Sequence, residues 1–248
     1  MTSEQQERIA AGTAELRATL PPTTYAQVSW AAREYETGDH RYNKYYRAIY
    51  DPEYPHPLVK RLYWHEDQTP DIRPLRRFLN QWKCRLPGES DSLVAEAMKE
   101  LGSFREGLFD SAIEAESLDD AVFDATESAF NRLMSIRHIG PTTASKILGV
   151  LYPRFFVMWD TDIRKVYFDR SQCKGYEFAV FMREMRSSAV SIIADARKHE
   201  IEDPAKAISN EIKQNPPFTL AKFINDYVWL TITRKERFSL VAAQEHHA

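Results

Sequence analysis

Apolar positions recur along this chain three and four residues apart, the period of an α-helix that buries one face. Strict alternation, the mark of a half-buried strand, is scarce. The clearest stripe is Leu75, Phe78, Leu79 and Trp82 in DIRPLRRFLNQW, at i, i+3, i+4 and i+7 behind a capping Asp71. Phe178, Phe181, Met182 and Met185 form a second stripe, and Leu220, Phe223, Ile224 and Tyr227 a third. With caps and breakers added, the pattern predicts helices over 3–19, 24–36, 71–82, 91–100, 103–115, 119–135, 161–169, 175–199, 203–213 and 219–232. Pro21-Pro22, Pro87-Gly88 and Pro216-Pro217 break the chain between them. The apolar run YPRFFVMW, residues 152–159, is too short and oddly placed for a sheet and reads as an extended connector. The aromatic, proline-punctuated stretch 42–63 reads as loop with short helices. The expected fold class is all-α, a single helical domain over 1–248 with residues 1–63 as an added subregion.

Composition narrows the class without naming a function. The chain has 248 residues, 43% of them hydrophobic, enough to bury a sizeable core. No run approaches the roughly 18 apolar residues of a membrane span. The polar N-terminus has no signal-peptide core, so a soluble intracellular protein of the cytoplasm, nucleoid or nucleus is expected. Cys84 and Cys173 offer no metal spacing and no disulfide framework, and are too few for an iron–sulfur cluster. His65-Glu66-Asp67 lacks a second histidine at ligand spacing.

Net charge is −3, but it is unevenly spread. From Arg132 to Lys174 eight basic residues face three acidic ones, so this segment is +5 and the remainder −8. A local basic patch on an acidic chain is the footprint expected of a polyanion site.

That segment holds LMSIRHIGPTTASKILGV, residues 133–150. One helix ends at 136–138. Gly140 is expected to supply a conformation that residues with a β-carbon resist. Pro141 suits the first turn of the next helix, where its missing N–H costs nothing. Thr142 and Thr143 then present unbonded backbone N–H groups at a helix N-terminus, an anion site reinforced by the helix dipole. Lys146, four residues after Thr142, shares its face and adds charge. Ala144 and Ile147 face the other way and let two helices approach closely. A Gly-Pro corner alone occurs in many helix pairs. The longer pattern, an apolar residue, two residues and then I-G-P-x-x-A-x-x-I-L, points to a helix-hairpin-helix over about 119–150. Twenty residues after Gly140 stands Asp160, at the mouth of the next helix, in a segment spanning 151–170. Spacing leaves two readings of it open, a plain N-cap and a chemically active carboxylate. Asp162 falls inside the helix and ranks second.

The run LMSIRHIGPTTASKILGVLYPRFFVMWDTDIRKVYF resembles the hairpin-plus-aspartate segment of the helix-hairpin-helix DNA glycosylase superfamily. That superfamily includes endonuclease III, the mismatch-active adenine glycosylase and the 8-oxoguanine glycosylases. The resemblance implies a DNA-glycosylase-like fold and double-stranded DNA as partner. It implies backbone contacts from His138, Gly140, Thr142, Thr143 and Lys146. Asp160 would be the family's essential aspartate, stabilising positive charge on the deoxyribose as the N-glycosidic bond breaks. A flipped base needs a stacking pocket. Trp159, and Phe223, Asn225, Asp226 and Trp229 of the last helix, are candidates, with ordinary core packing the alternative for each aromatic. The run YNKYYRAIY, with Lys44 and Arg47 among its tyrosines, suits nucleic-acid stacking or a half-buried helix equally.

Three positions depart from the family. His138 stands where a first hairpin glycine is common. Thr142 stands where strand-cleaving members carry a Schiff-base lysine. The cluster cysteines of many endonuclease III relatives are missing. The resemblance therefore implies a monofunctional base-excision hydrolase of DNA repair that uses water, without lyase activity. It implies no organic cofactor and, at most, a monovalent cation at the hairpin. A non-catalytic DNA-binding module that kept the fold is the alternative, and an enzyme on a non-DNA N-glycoside or RNA is the third reading.

Overall fold

The structure is a computed structural model that describes residues 24–37, 72–95, 109, 111–169, 173–215 and 217–235. Among these residues the secondary structure is entirely helical. The expected helix over 3–19, the segment 42–63 and His65-Glu66-Asp67 lie outside the described residues.

The helices are α1 (Tyr25–Thr37), α2 (Arg73–Gln81), α3 (Asp120–Met134), α4 (Pro141–Leu151), α5 (Thr161–Phe168), α6 (Gly175–Arg197), α7 (Pro204–Glu211) and α8 (Leu220–Val228). Residues 91–95 are also helical. Side-chain caps start several of them. Asp119 accepts from Ala121 N, Asp203 from Lys206 N and Thr219 from Lys222 N. Each satisfies a donor that the first helical turn leaves without a partner.

Helix α2 starts at Arg73 with Ile72 as N-cap, and Asp71, expected to cap it, lies outside the described residues. One expectation about an element end is corrected. Residues 111–115 are turns, so the helix expected over 103–115 does not reach its predicted end. The main chain there is committed elsewhere. Ile113 N–H donates to the Arg154 carbonyl at 3.0 Å, and Ala115 N–H to the Ala112 carbonyl at 2.9 Å.

Helix α6 is the longest element and packs against α3, α8 and α1. Gly175, at its first turn, has a steric reason. A β-carbon there would stand 2.5 Å from the Glu127 carbonyl oxygen of α3. The connector 152–159 is extended and turned, and it threads the core. From the connector, Phe155 meets Phe123 of α3, Phe156 meets Phe178 of α6, and Trp159 meets Phe130 of α3 and Phe178 and Phe181 of α6. Phe130 and Phe178 stack with centroids 4.5 Å apart, and Trp159 meets Phe130 edge-on at 5.7 Å. Such pairs add about 0.5–1.5 kcal/mol each beyond the area they bury. This cluster holds the connector in place, and with it the residue that follows, Asp160. Among the described residues no helix is long and apolar enough to cross a membrane.

Candidate functional site

The turn between α3 and α4, residues 135–140, is built differently from the expectation. Gly140 has φ −91° and ψ 176°, extended backbone that any residue adopts, and a β-carbon there would meet nothing within 4 Å. The expectation that Gly140 supplies an unusual conformation is corrected. The left-handed position is His138, at φ 72°. That backbone conformation is the one glycine adopts at least cost. The His138 Nε2 lies 3.0 Å from Glu89 Oε1, so an acidic side chain stands beside the turn.

Helix geometry leaves the N–H groups of Thr142 and Thr143 without an acceptor in their own helix, while Ala144 N–H already bonds the Gly140 carbonyl. Thr143 is 5% exposed and its side chain packs inward towards Cys84, so what it can offer a ligand is its N–H, as expected of a helix N-terminus. A monovalent cation at this turn would rest on main-chain carbonyls. Those of Leu133 and Ile136 already accept the N–H groups of Ile136 and Ile139. Among the described residues no cluster of His, Cys, Asp and Glu gathers to hold a metal.

Behind the turn a cleft of about 400 Å³ opens. Its aromatic lining is Tyr35 of α1, Trp82 after α2, Trp159 of the connector and Trp229 at the end of α8. Its charged residues are Lys83, Lys146 and Asp160. Thr142 also lines it, so Thr142 and Lys146 share a face as expected, but that face turns into the cleft. Tyr35 and Trp229 meet edge-on at 5.6 Å.

Asp160 is both a cap and a cleft residue. Its Oδ1 accepts from Asp162 N–H at 2.9 Å and Ile163 N–H at 3.0 Å, as N-cap of α5. Its Oδ2 accepts from the Thr233 hydroxyl at 2.7 Å. Thr233 ends the π-helical turn Trp229–Thr233 that continues α8, and Arg234 N–H closes that turn on the Trp229 carbonyl. A π turn rotates the residues around it relative to a regular helix. Here it sets Trp229 and Thr233 on the cleft together. Asp162 is exposed and 4.0 Å from Lys165 Nζ, on the surface of α5.

Arg164 ties the first turns of α4 and α5 together. It is 3% exposed, and its guanidinium donates to Thr142 Oγ1 at 2.8 Å and Thr161 Oγ1 at 3.1 Å. Lys146 Nζ donates to the Trp82 carbonyl at 2.9 Å and lies 5.7 Å from that ring. Burial pushes the Lys146 pKa below the ordinary lysine value, while Cys84 and Asp160 pull it back up and Lys83 adds to the fall. Burial also raises the Cys84 pKa, against the pull of Lys146 and a bond from Thr143.

Of the aromatics considered for a base pocket, Phe223 is corrected. Trp159 is 1% exposed and packed in the phenylalanine cluster, with Nε1 donating to the Pro141 carbonyl at 3.2 Å, and it also lines the cleft. Phe223 is 0% exposed against Phe218 and does not line the cleft. Trp229 does line it. Asn225 lines it too, its Oδ1 fixed by Met158 N–H at 3.1 Å. Asp226 is fully buried and paired with Lys222 behind the Tyr35 wall, and burial raises its pKa to about 7 despite that lysine. Tyr35, Trp82, Lys83 and Thr233 were not foreseen. Trp82 was visible only as the last residue of an apolar stripe, and nothing in the pattern around Thr233 marks it.

No family model matches the chain, and no curated protein or solved structure matches it.

Proposed function

We propose that this chain is a monofunctional DNA glycosylase that grips a DNA backbone at the 135–140 turn and uses Asp160 to hydrolyse the N-glycosidic bond of a damaged or modified base. The observation that carries this reading is the Asp160 carboxylate standing in an aromatic-walled cleft beside the first turn of α4. Two bare N–H groups at a helix N-terminus suit a phosphate. The glycine at 140 has no steric reason within the fold, which suits close approach of a ligand backbone. An extruded base would stack between Tyr35, Trp82 and Trp229.

As the bond to the base lengthens, positive charge grows on the sugar, and a fixed carboxylate opposes it without having to reorient. Three hydrogen bonds hold Asp160 in one orientation. With a threonine at 142, its hydroxyl already bonded to Arg164, water is the nucleophile and strand cleavage is not expected. The test is a panel of duplexes, each with one altered base, incubated with the protein and then treated with alkali to break abasic sites. Base release that Asp160→Asn abolishes supports the reading. Release unchanged in that variant overturns the role of Asp160.

The same three bonds favour a second reading, a DNA-binding module in which Asp160 only holds α5 and the π turn together. It predicts salt-dependent DNA binding, no base release from any duplex, and binding unaltered by Asp160→Asn.

A further inference from the structure

The cleft carries two cations, Lys83 and Lys146. Lys83 is exposed along its length, at a left-handed position just after α2, and lines the cleft. Lys146 reaches the same space from α4. An ammonium has three donors, and Lys146 gives one to the Trp82 carbonyl, leaving two without an acceptor among the described residues. Asp160 is the single carboxylate among the described lining residues. Among its described lining residues the cleft therefore has one negative group and two positive groups.

That asymmetry bears on the other half of the broken bond. When a neutral base leaves C1′, the bonding electron pair goes with it, and the charge spreads onto its carbonyl oxygens. Donors fixed where that charge develops lower the barrier. A base alkylated on a ring nitrogen behaves oppositely. It is a cation before the bond breaks and needs no such help, and two ammonium groups repel it.

Resting on the glycosylase reading above, we propose that the cleft selects neutral, carbonyl-bearing bases, and that Lys146, with Lys83 beside it, stabilises the negative charge the departing base takes up. The C1′–N bond breaks with its electron pair moving to the base. Water adds its hydroxyl to C1′, and its remaining proton neutralises the departed base. Lys146 keeps its proton throughout and forms no bond to the sugar.

The experiment compares single-turnover base release from duplexes holding uracil, 5-fluorouracil, hypoxanthine or 7-methylguanine, by the full chain and by Lys146→Gln, Lys146→Arg and Lys83→Gln. Release of uracil or hypoxanthine and not of 7-methylguanine is expected. Lys146→Gln is expected to lose about 100-fold on uracil, the scale of one lost transition-state donor. The loss on 5-fluorouracil should be smaller, because fluorine makes that base a better leaving group. A merely structural lysine would slow both equally. Lys146→Arg should restore part of the rate, and Lys83→Gln should lose less than Lys146→Gln while keeping the native melting temperature. Because burial lowers the Lys146 pKa, the wild-type rate should fall with rising pH below the usual lysine range, and the arginine variant should shift that limb upward. Faster release of 7-methylguanine, equal losses on the two uracils, or a borohydride-trapped adduct at Lys146 would each overturn the proposal. Release of no base at all would instead remove the glycosylase reading beneath it.

Discussion

Helix α4 serves two regions with its first turn, and they are built on opposite principles. The 135–140 turn offers main chain. The Thr142 and Thr143 N–H groups follow it, Gly140 is unobstructed, and the His138 side chain lies beside Glu89. The cleft on the other side offers side chains, each fixed by a named partner: Asp160 by Thr233, Lys146 by the Trp82 carbonyl, Thr142 by Arg164. A main-chain surface suits a ligand that repeats, such as a phosphate backbone, because it does not read identity. A pocket of positioned charges suits a single reacting group. On the proposed reading the difference separates gripping from chemistry, and substitutions can separate them too.

The largest effect is expected where the two regions share a foundation. Trp159→Ala removes the ring that packs against Phe130, Phe178 and Phe181 and bonds the Pro141 carbonyl. It should cost about 3–5 kcal/mol of stability in urea unfolding. A loss under 1 kcal/mol would mean that Trp159 does not hold the connector in place. Gly140→Val should act on the turn alone. Its extended backbone accepts valine and the β-carbon meets open space, so the melting temperature should hold while duplex affinity drops about 30-fold, on the scale of one charged hydrogen bond. Unchanged affinity would take the turn out of DNA binding. Thr233→Val should act on the cleft alone, slowing base release about tenfold with duplex affinity intact, since Asp160 keeps its two N–H donors. Equal losses in both would show the regions to be one. Glu89→Gln should have the smallest effect, a rise of about threefold in duplex affinity at low salt, because the acid is exposed and its charge well screened.

Much of the fold is legible in the sequence because local chemistry sets it. Asp119, Asp160, Asp203 and Thr219 are each an N-cap in the structure, and the apolar stripes of α6 and α8 lie buried. The spacing from Gly140 to Asp160 is likewise local, and both residues stand near the same turn. What is not legible depends on distant partners or on backbone geometry. Gly140 and His138 read as an ordinary exchange of roles, because nothing local says which of the two turns left-handed. Lys146 reads as an outward cation until Trp82, 64 residues earlier, supplies the carbonyl that draws it inward. Thr233, 73 residues from Asp160, has no pattern of its own, because a π turn leaves no regular period to detect. Trp159 and Asp160 are neighbours that both line the cleft, but Trp159 is packed into the aromatic core while Asp160 is only half-buried. Only packing separates them.

The account rests on Asp160 doing more than capping α5. The most direct measurement is single-turnover base release by wild type and Asp160→Asn on a duplex that the wild type cuts, with duplex affinity and melting temperature measured on the same preparations. Asparagine keeps the side-chain oxygen that caps α5 and removes the charge. The account predicts a loss of about 1,000-fold or more in release, with affinity within about twofold and melting within a few degrees. Base release at the wild-type rate with the same affinity would contradict it and leave Asp160 a helix cap.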